Sequence, residues 1–96
     1  MPQKPLIPVD YDRRLAALVR FVEGGAHRHV EVVGNASAET GTHWLFRGKT
    51  AGPGVAGAVL SRDCCANWGL WFARTKAELV KEWASLVRRA KRAGDL

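Results

Sequence analysis

The histidines and cysteines are the residues of this 96-residue chain whose types could bind a metal ion or act as a nucleophile. His27-x-His29, His43 and the adjacent pair Cys64-Cys65 offer the imidazole and thiolate ligands that zinc prefers. Their spacing matches no zinc finger, so isolated histidines and a cysteine pair in a turn are the better interpretation. A cysteine nucleophile also needs an orienting third group and an oxyanion site, which the sequence does not indicate. We therefore predict no metal, no cofactor and no enzymatic activity.

A Gly-Lys-Thr tripeptide at residues 48–50 matches the end of the P-loop, a motif that cradles phosphates. The full motif requires a glycine five residues before Gly48, where His43 stands, and a helix after Thr50, which the sequence does not predict. A flexible hairpin loop is the better interpretation. In that loop Lys49 remains available to a polyanion.

Basic side chains cluster on one side of a helix predicted near the end of the chain. At about 100° per residue, Lys81, Arg88 and Arg92 fall within about 40° of arc, and Arg89 lies on the flank of this group. Arginine binds phosphate bidentately and lysine acts as a point charge, so this stripe suits a polyanion. In the alternative interpretation, the charges only solubilise the helix and complement the negative end of its dipole.

An aromatic side chain on the predicted sheet gives a second candidate surface. If Trp68 and Trp44 face the helices, strand alternation puts Trp71, Arg47 and His43 together on the opposite, open face. Such a face offers nucleobases a stacking platform or offers a protein partner a hot spot. A bulge or a one-residue register error would instead turn Trp71 inward.

The composition indicates one globular domain of basic character. Apolar residues make up 47% and charged residues 25% of the chain, and the formal net charge is +6. This charge favours nucleic acid, a nucleoprotein complex or an acidic protein surface as partner. Prolines interrupt the first eight residues, which excludes a signal peptide, and no apolar run approaches the roughly 18 residues of a membrane span. We expect a cytoplasmic protein, monomeric or homodimeric, that makes no contact with membranes.

The elements that position these residues follow from periodicity and turn signals. Asp10 or Asp12 can cap a first helix that ends at Gly24-Gly25. Four short β-rich runs then follow at about 30–34, 43–47, 55–61 and 68–74, and their connections are too short for crossover helices. A Thr75-x-x-Glu78 capping box opens the last helix.

The predicted fold is therefore α+β: an N-terminal helix, a four-stranded antiparallel meander and a C-terminal amphipathic helix. We expect both helices on one face of the sheet, as a two-layer sandwich. The core side of the last helix is predicted to carry Leu79, Val80, Trp83, Leu86, Val87 and Ala90. Residues 1–9 form a flexible proline-rich leader, residues 10–93 the single domain and residues 94–96 a tail.

Two functions are compatible with these residues. The first is a small non-enzymatic protein that binds nucleic acid or a nucleoprotein complex. Its predicted contacts are Lys81, Arg88, Arg89, Arg92, Trp71, Arg47 and Lys49. The alternative is a protein-binding inhibitor or adaptor of the kind that phages and plasmids encode, such as an anti-CRISPR or anti-restriction protein. It would dock through the exposed aromatic sheet face or the basic helix.

Overall fold

The computed structural model describes residues 11–25, 31–35, 41–63 and 65–94, and for Tyr11 and residues 31–35 it describes the backbone only. Its elements are helix α1 (Tyr11–Glu23), strands β1 (Glu31–Asn35), β2 (Thr42–Arg47), β3 (Gly57–Arg62) and β4 (Trp68–Ala73), and helix α2 (Lys76–Ala93). A single 3-10 turn, Gly48–Thr50, follows β2. The predicted leader, residues 1–9, and the end of the predicted tail lie outside the described residues.

The sheet is antiparallel and its strands lie side by side in chain order. The predicted antiparallel pairing of consecutive strands is confirmed for β2, β3 and β4. Strands β2, β3 and β4 pair without a break, with Leu45 opposite Val59 and Val59 opposite Trp71. Strand β1 pairs with β2 at Glu31, Val32 and Asn35, with a register irregularity between Val32 and Asn35. The structure thus confirms an α+β fold in which two helices pack on an antiparallel sheet.

The two helices cover opposite faces of the sheet, so the predicted two-layer sandwich is wrong. On one face, Leu18 and Val22 of α1 pack against a buried set of strand residues: Trp44, Phe46, Ala58, Leu60 and Phe72. On the other face, α2 covers Leu45, Val59 and Ala73. Because neighbouring strand residues point to opposite faces, runs such as Trp44-Leu45-Phe46 are apolar on both sides and require cover on both.

A capping box has two hydrogen bonds, and the start of α2 forms one of them as predicted. The Glu78 backbone N–H donates to Thr75 Oγ1 at 3.1 Å, as an N-cap requires. The Glu78 carboxylate reaches one residue further back than expected and accepts the Arg74 N–H at 2.8 Å. The helix ends at Gly94, whose φ of +83° is the left-handed conformation that suits glycine.

Candidate nucleic-acid interface

The inner side of α2 sets which side chains the helix turns outward. Leu79, Leu86 and Ala90 are buried against the sheet, and Trp83 and Val87 are partly buried beside them. Val80, predicted in the core, is instead 59% exposed. It lies about 90° of helical arc from the centre of the buried group, which is too far round the helix to reach the strands. The outward side is therefore centred on the basic residues, as predicted.

The predicted stripe residues Lys81, Arg88, Arg89 and Arg92 are all exposed. None of them forms a hydrogen bond or an ion pair with any side chain in the described ranges. Their positive charges are therefore not neutralised by the described acidic residues. Exposure alone fits both interpretations of these charges, a binding surface and a solvated helix surface with no partner. The placement of the acidic residues of α2 distinguishes the two.

The described acidic residues of α2 lie beside Lys81, Arg88 and Arg92, on the flank that carries Arg89. At about 100° per residue, Glu78, Glu82 and Arg89 share a flank that spans about 40° of arc. An arc about 100° wide, from Lys91 to Arg92, carries only basic and small side chains. We call this arc the basic face; its cations are Lys81, Arg88, Lys91 and Arg92.

The cations of the basic face are distributed along the length of the helix. At about 1.5 Å of rise per residue, Lys81 and Arg88 are separated by about 10 Å along the helix, and Arg88 and Arg92 by about 6 Å. Ala77 and Ala84 lie between these cations, so the helix backbone is not screened by bulky side chains. A ligand with regularly spaced negative charges can therefore approach several cations at once.

Arg47 and Lys49 lie apart from the last turns of α2. Arg47 pairs with Gly57, and Gly57 pairs with Ala73, three residues before α2 begins, so Arg47 lies at the end of the sheet where that helix starts. Both cations are exposed, and Arg47 takes part in an interaction within the molecule. The structure thus groups these two predicted residues near the first turn of α2, about 20 Å of helix from Arg92.

Trp71 does not lie on an open sheet face, and that prediction is wrong. It shares the face of Leu45 and Val59, and it packs, partly buried, against the cluster beneath α2. His43 alternates onto the same face and is also only partly exposed. The predicted stacking platform of Trp71, Arg47 and His43 is lost because α2 occupies the side of the sheet that the sequence left uncovered.

The candidate metal ligands are only partly described. His27, His29 and Cys64 lie outside the described residues, and Cys65 is exposed. Within the described ranges, no three His, Cys, Asp or Glu side chains come together in a way that could hold a metal ion. The expectation of no metal and no cofactor stays a prediction.

Arg62 and Trp68 were not predicted as a pair from the sequence. They lie directly opposite each other on β3 and β4. The sequence does contain a signal for this pairing, because the turn-forming residues Asp63 and Asn67 flank the β3–β4 connection and pair the strands at these positions.

No helix in the described part of the chain has the length and apolarity to cross a membrane. Comparison with family models, with curated proteins and with solved structures gives no match for this chain.

Proposed function

We propose that this protein is a non-enzymatic nucleic-acid-binding protein that contacts phosphates through the basic face of α2. The observation that supports this most is the separation of charge on that helix. Its four basic-face cations are exposed and point away from the sheet, whereas Glu78 and Glu82 lie on the adjacent flank. A helix that needed charge only for solubility would gain from mixing the two signs, since opposite charges at i and i+4 stabilise it.

The shape of the face favours nucleic acid over a protein partner. Protein interfaces depend on a few aromatic or large apolar anchors that become fully buried. The basic face offers only Ala77 and Ala84 for this purpose, with the exposed Val80 beside it. Trp71, the expected anchor on the sheet, is partly buried beneath α2. Of the two surfaces through which an inhibitor or adaptor of the anti-CRISPR or anti-restriction type would dock, the basic helix is left, and it lacks such an anchor.

A salt-graded binding titration tests the proposal. Fluorescently labelled single-stranded DNA, duplex DNA and RNA are titrated with the full chain from about 50 mM salt upward, a range in which phosphate contacts dominate affinity. We expect affinity to fall by about 0.7–0.9 log units per log unit of salt for each phosphate contacted. Replacing Arg88 and Arg92 together by Glu is expected to abolish binding, with thermal stability nearly unchanged because exposed charges contribute little to folding.

Arg92→Glu and Arg20→Glu form a matched pair for the control. Both arginines are exposed and both lie in the last turn of a helix, but Arg20 belongs to α1 on the other side of the sheet. Arg92→Glu should weaken binding and lower the salt slope by about 1, whereas Arg20→Glu should leave the slope unchanged. Equal effects of the two variants, or no binding to any of the three nucleic acids at low salt, would reject the proposal.

A further inference from the structure

A stack of three side chains leads from the core to the surface on the face of the sheet that α1 covers. Trp44 is buried, and its ring lies 5.7 Å from that of Trp68, with 29° between the planes. The guanidinium carbon of Arg62 lies 5.2 Å from the centre of the Trp68 ring. Trp68 is partly exposed and Arg62 is exposed. We call Trp44, Trp68 and Arg62 the Trp–Arg stack.

The position of Arg62 is fixed by its neighbours on both sides. Across β4 it pairs with Trp68, and on the side of β2 Gly41 is buried against it. A Cβ atom built on Gly41 would overlap the carbonyl oxygen of Arg62, so only glycine permits this approach. The backbone from which the guanidinium extends is therefore held in place before any ligand arrives.

Asp63, the carboxylate next to Arg62 in the chain, is fully engaged by the hairpin loop. One of its oxygens accepts the backbone N–H groups of Cys65 at 2.8 Å and Asn67 at 2.9 Å. The other accepts the Asn67 side-chain amide at 3.0 Å. Arg62 forms no ion pair with this or any other acidic side chain in the described ranges, and its recorded contact is with the indole. The guanidinium is thus kept on the aromatic ring, with its charge available to a ligand.

We propose that the Trp–Arg stack is a docking site for an unpaired nucleobase of single-stranded nucleic acid. A planar guanidinium held on one aromatic ring can take a second planar ring on its outer side, and arginine planes are common partners of splayed-out bases. The N–H groups at its edge can at the same time donate to a phosphate or to base acceptors. This inference rests on the proposed function, since it names the form of nucleic acid that the basic face would hold.

The placement of the two surfaces favours a flexible strand over a duplex. The Trp–Arg stack lies on the α1 side of the sheet and the basic face belongs to the helix on the opposite side. The molecule measures 35 × 30 × 24 Å, so a ligand that uses both surfaces must bend around it within a few nucleotides. Duplex DNA has a persistence length of about 150 base pairs and resists bending within a few nucleotides, whereas a single strand can follow such a path.

The test compares two single strands of equal length and phosphate number, a thymidine oligonucleotide and its abasic counterpart. The full chain should bind the thymidine strand at least about fivefold more tightly, because base stacking adds to the phosphate contacts. Arg62→Lys keeps the positive charge but removes the planar guanidinium group. It should therefore abolish the preference for the thymidine strand and leave the affinity for the abasic strand unchanged. Arg20→Lys, an exposed arginine on α1, is the matched control and should alter neither.

A second measurement reports on the stack directly. The indole N–H resonance of Trp68 should shift on addition of the thymidine strand and not on addition of the abasic strand. Equal affinity of the two strands for the native chain, or a preference that survives Arg62→Lys, would overturn the docking site and leave the proposed function intact. Absence of binding to both strands would overturn the docking site, and it would overturn the proposed function as well if duplex DNA and RNA also failed to bind.

Discussion

Gly57 lies where the first turn of α2 packs on the sheet, and the absence of its side chain gives Leu79 room. A Cβ atom at this position would overlap the Leu79 side chain and lie 2.7 Å from the carbonyl oxygen of Phe46. The carbonyl belongs to the neighbouring strand and cannot move without breaking the ladder. A single residue thereby sets how closely α2 approaches the strands.

Gly57→Ala is therefore expected to destabilise the fold by about 1–3 kcal/mol, the usual cost of overpacking a close-packed interior. Gly69→Ala is the control on the same face of the sheet, because its added Cβ would meet only the Ser61 hydroxyl at 3.1 Å. Denaturant unfolding of both variants measures the difference. Similar losses for the two glycines would show that α2 does not pack at Gly57 as described.

The β3–β4 loop depends on the ionised form of Asp63. Hydrogen bonds from the backbone and side chain of Asn67, and then from the backbone of Cys65, lower the pKa of this carboxyl below its ordinary value of 3.8. Ala66 at the loop tip has a φ of +65°, which few non-glycine residues adopt, so the loop conformation has to be held by such bonds.

Because the pKa of Asp63 is lower in the folded state than in the unfolded state, the stability that this carboxylate contributes depends on pH. The stabilisation is present above the unfolded-state pKa and is lost as the pH falls through the lower folded-state value. Asp63→Ala should therefore lower stability at neutral pH and reduce the loss of stability that the native chain shows on acidification below about pH 4. Urea unfolding as a function of pH measures this, and parallel pH profiles for the two proteins would contradict it.

At the scale of the element, α2 has two tasks that its sequence separates around the helix axis. One side carries the apolar residues that close the second face of the sheet, and the other carries the basic face. The two sides meet at Val80, which is too far round the helix to be buried. Substitutions on the two sides of this helix are therefore expected to affect folding and the proposed binding independently.

Trp83→Ala is expected to cost about 3 kcal/mol, at the lower end for a tryptophan because this side chain packs on the Leu45 and Val59 cluster while remaining partly exposed. Val80→Ala on the same helix should change stability by no more than about 0.5 kcal/mol, as for an ordinary surface position. Thermal or denaturant unfolding compares them. Comparable losses would mean that the buried side of α2 is not the one described here.

At the scale of the whole molecule, one sheet lies between two small hydrophobic cores. Phe46 and Leu60 are fully buried on the α1 side, and Leu45 and Val59 are buried on the α2 side. Covering both faces lets a short chain bury apolar side chains from both sides of the same strands, as in β2 and β3. It also leaves the helices, the strand ends and the loops to supply the outer surface, and the net charge of +6 is displayed there.

The local features of the fold were predictable from the chain alone. The capping box of Thr75 and Glu78 predicts the start of α2, and glycine, asparagine and aspartate indicate the turns between strands. The side of α2 that carries Lys81, Arg88 and Arg92 followed from rotation about a helix axis. Such properties depend on residues a few positions apart, so periodicity and capping rules suffice to read them.

The relation between distant elements was not predictable in this way. Alternation along β4 assigns Trp68 and Trp71 to different faces but does not say which helix covers either face. That choice depends on how α1 and α2 divide two apolar faces, an interaction between segments far apart in the chain. The sequence by itself therefore determined the elements and the basic face, and only the tertiary structure decided that Trp71 packs beneath α2 while Trp68 lies on the α1 side beside the exposed Arg62.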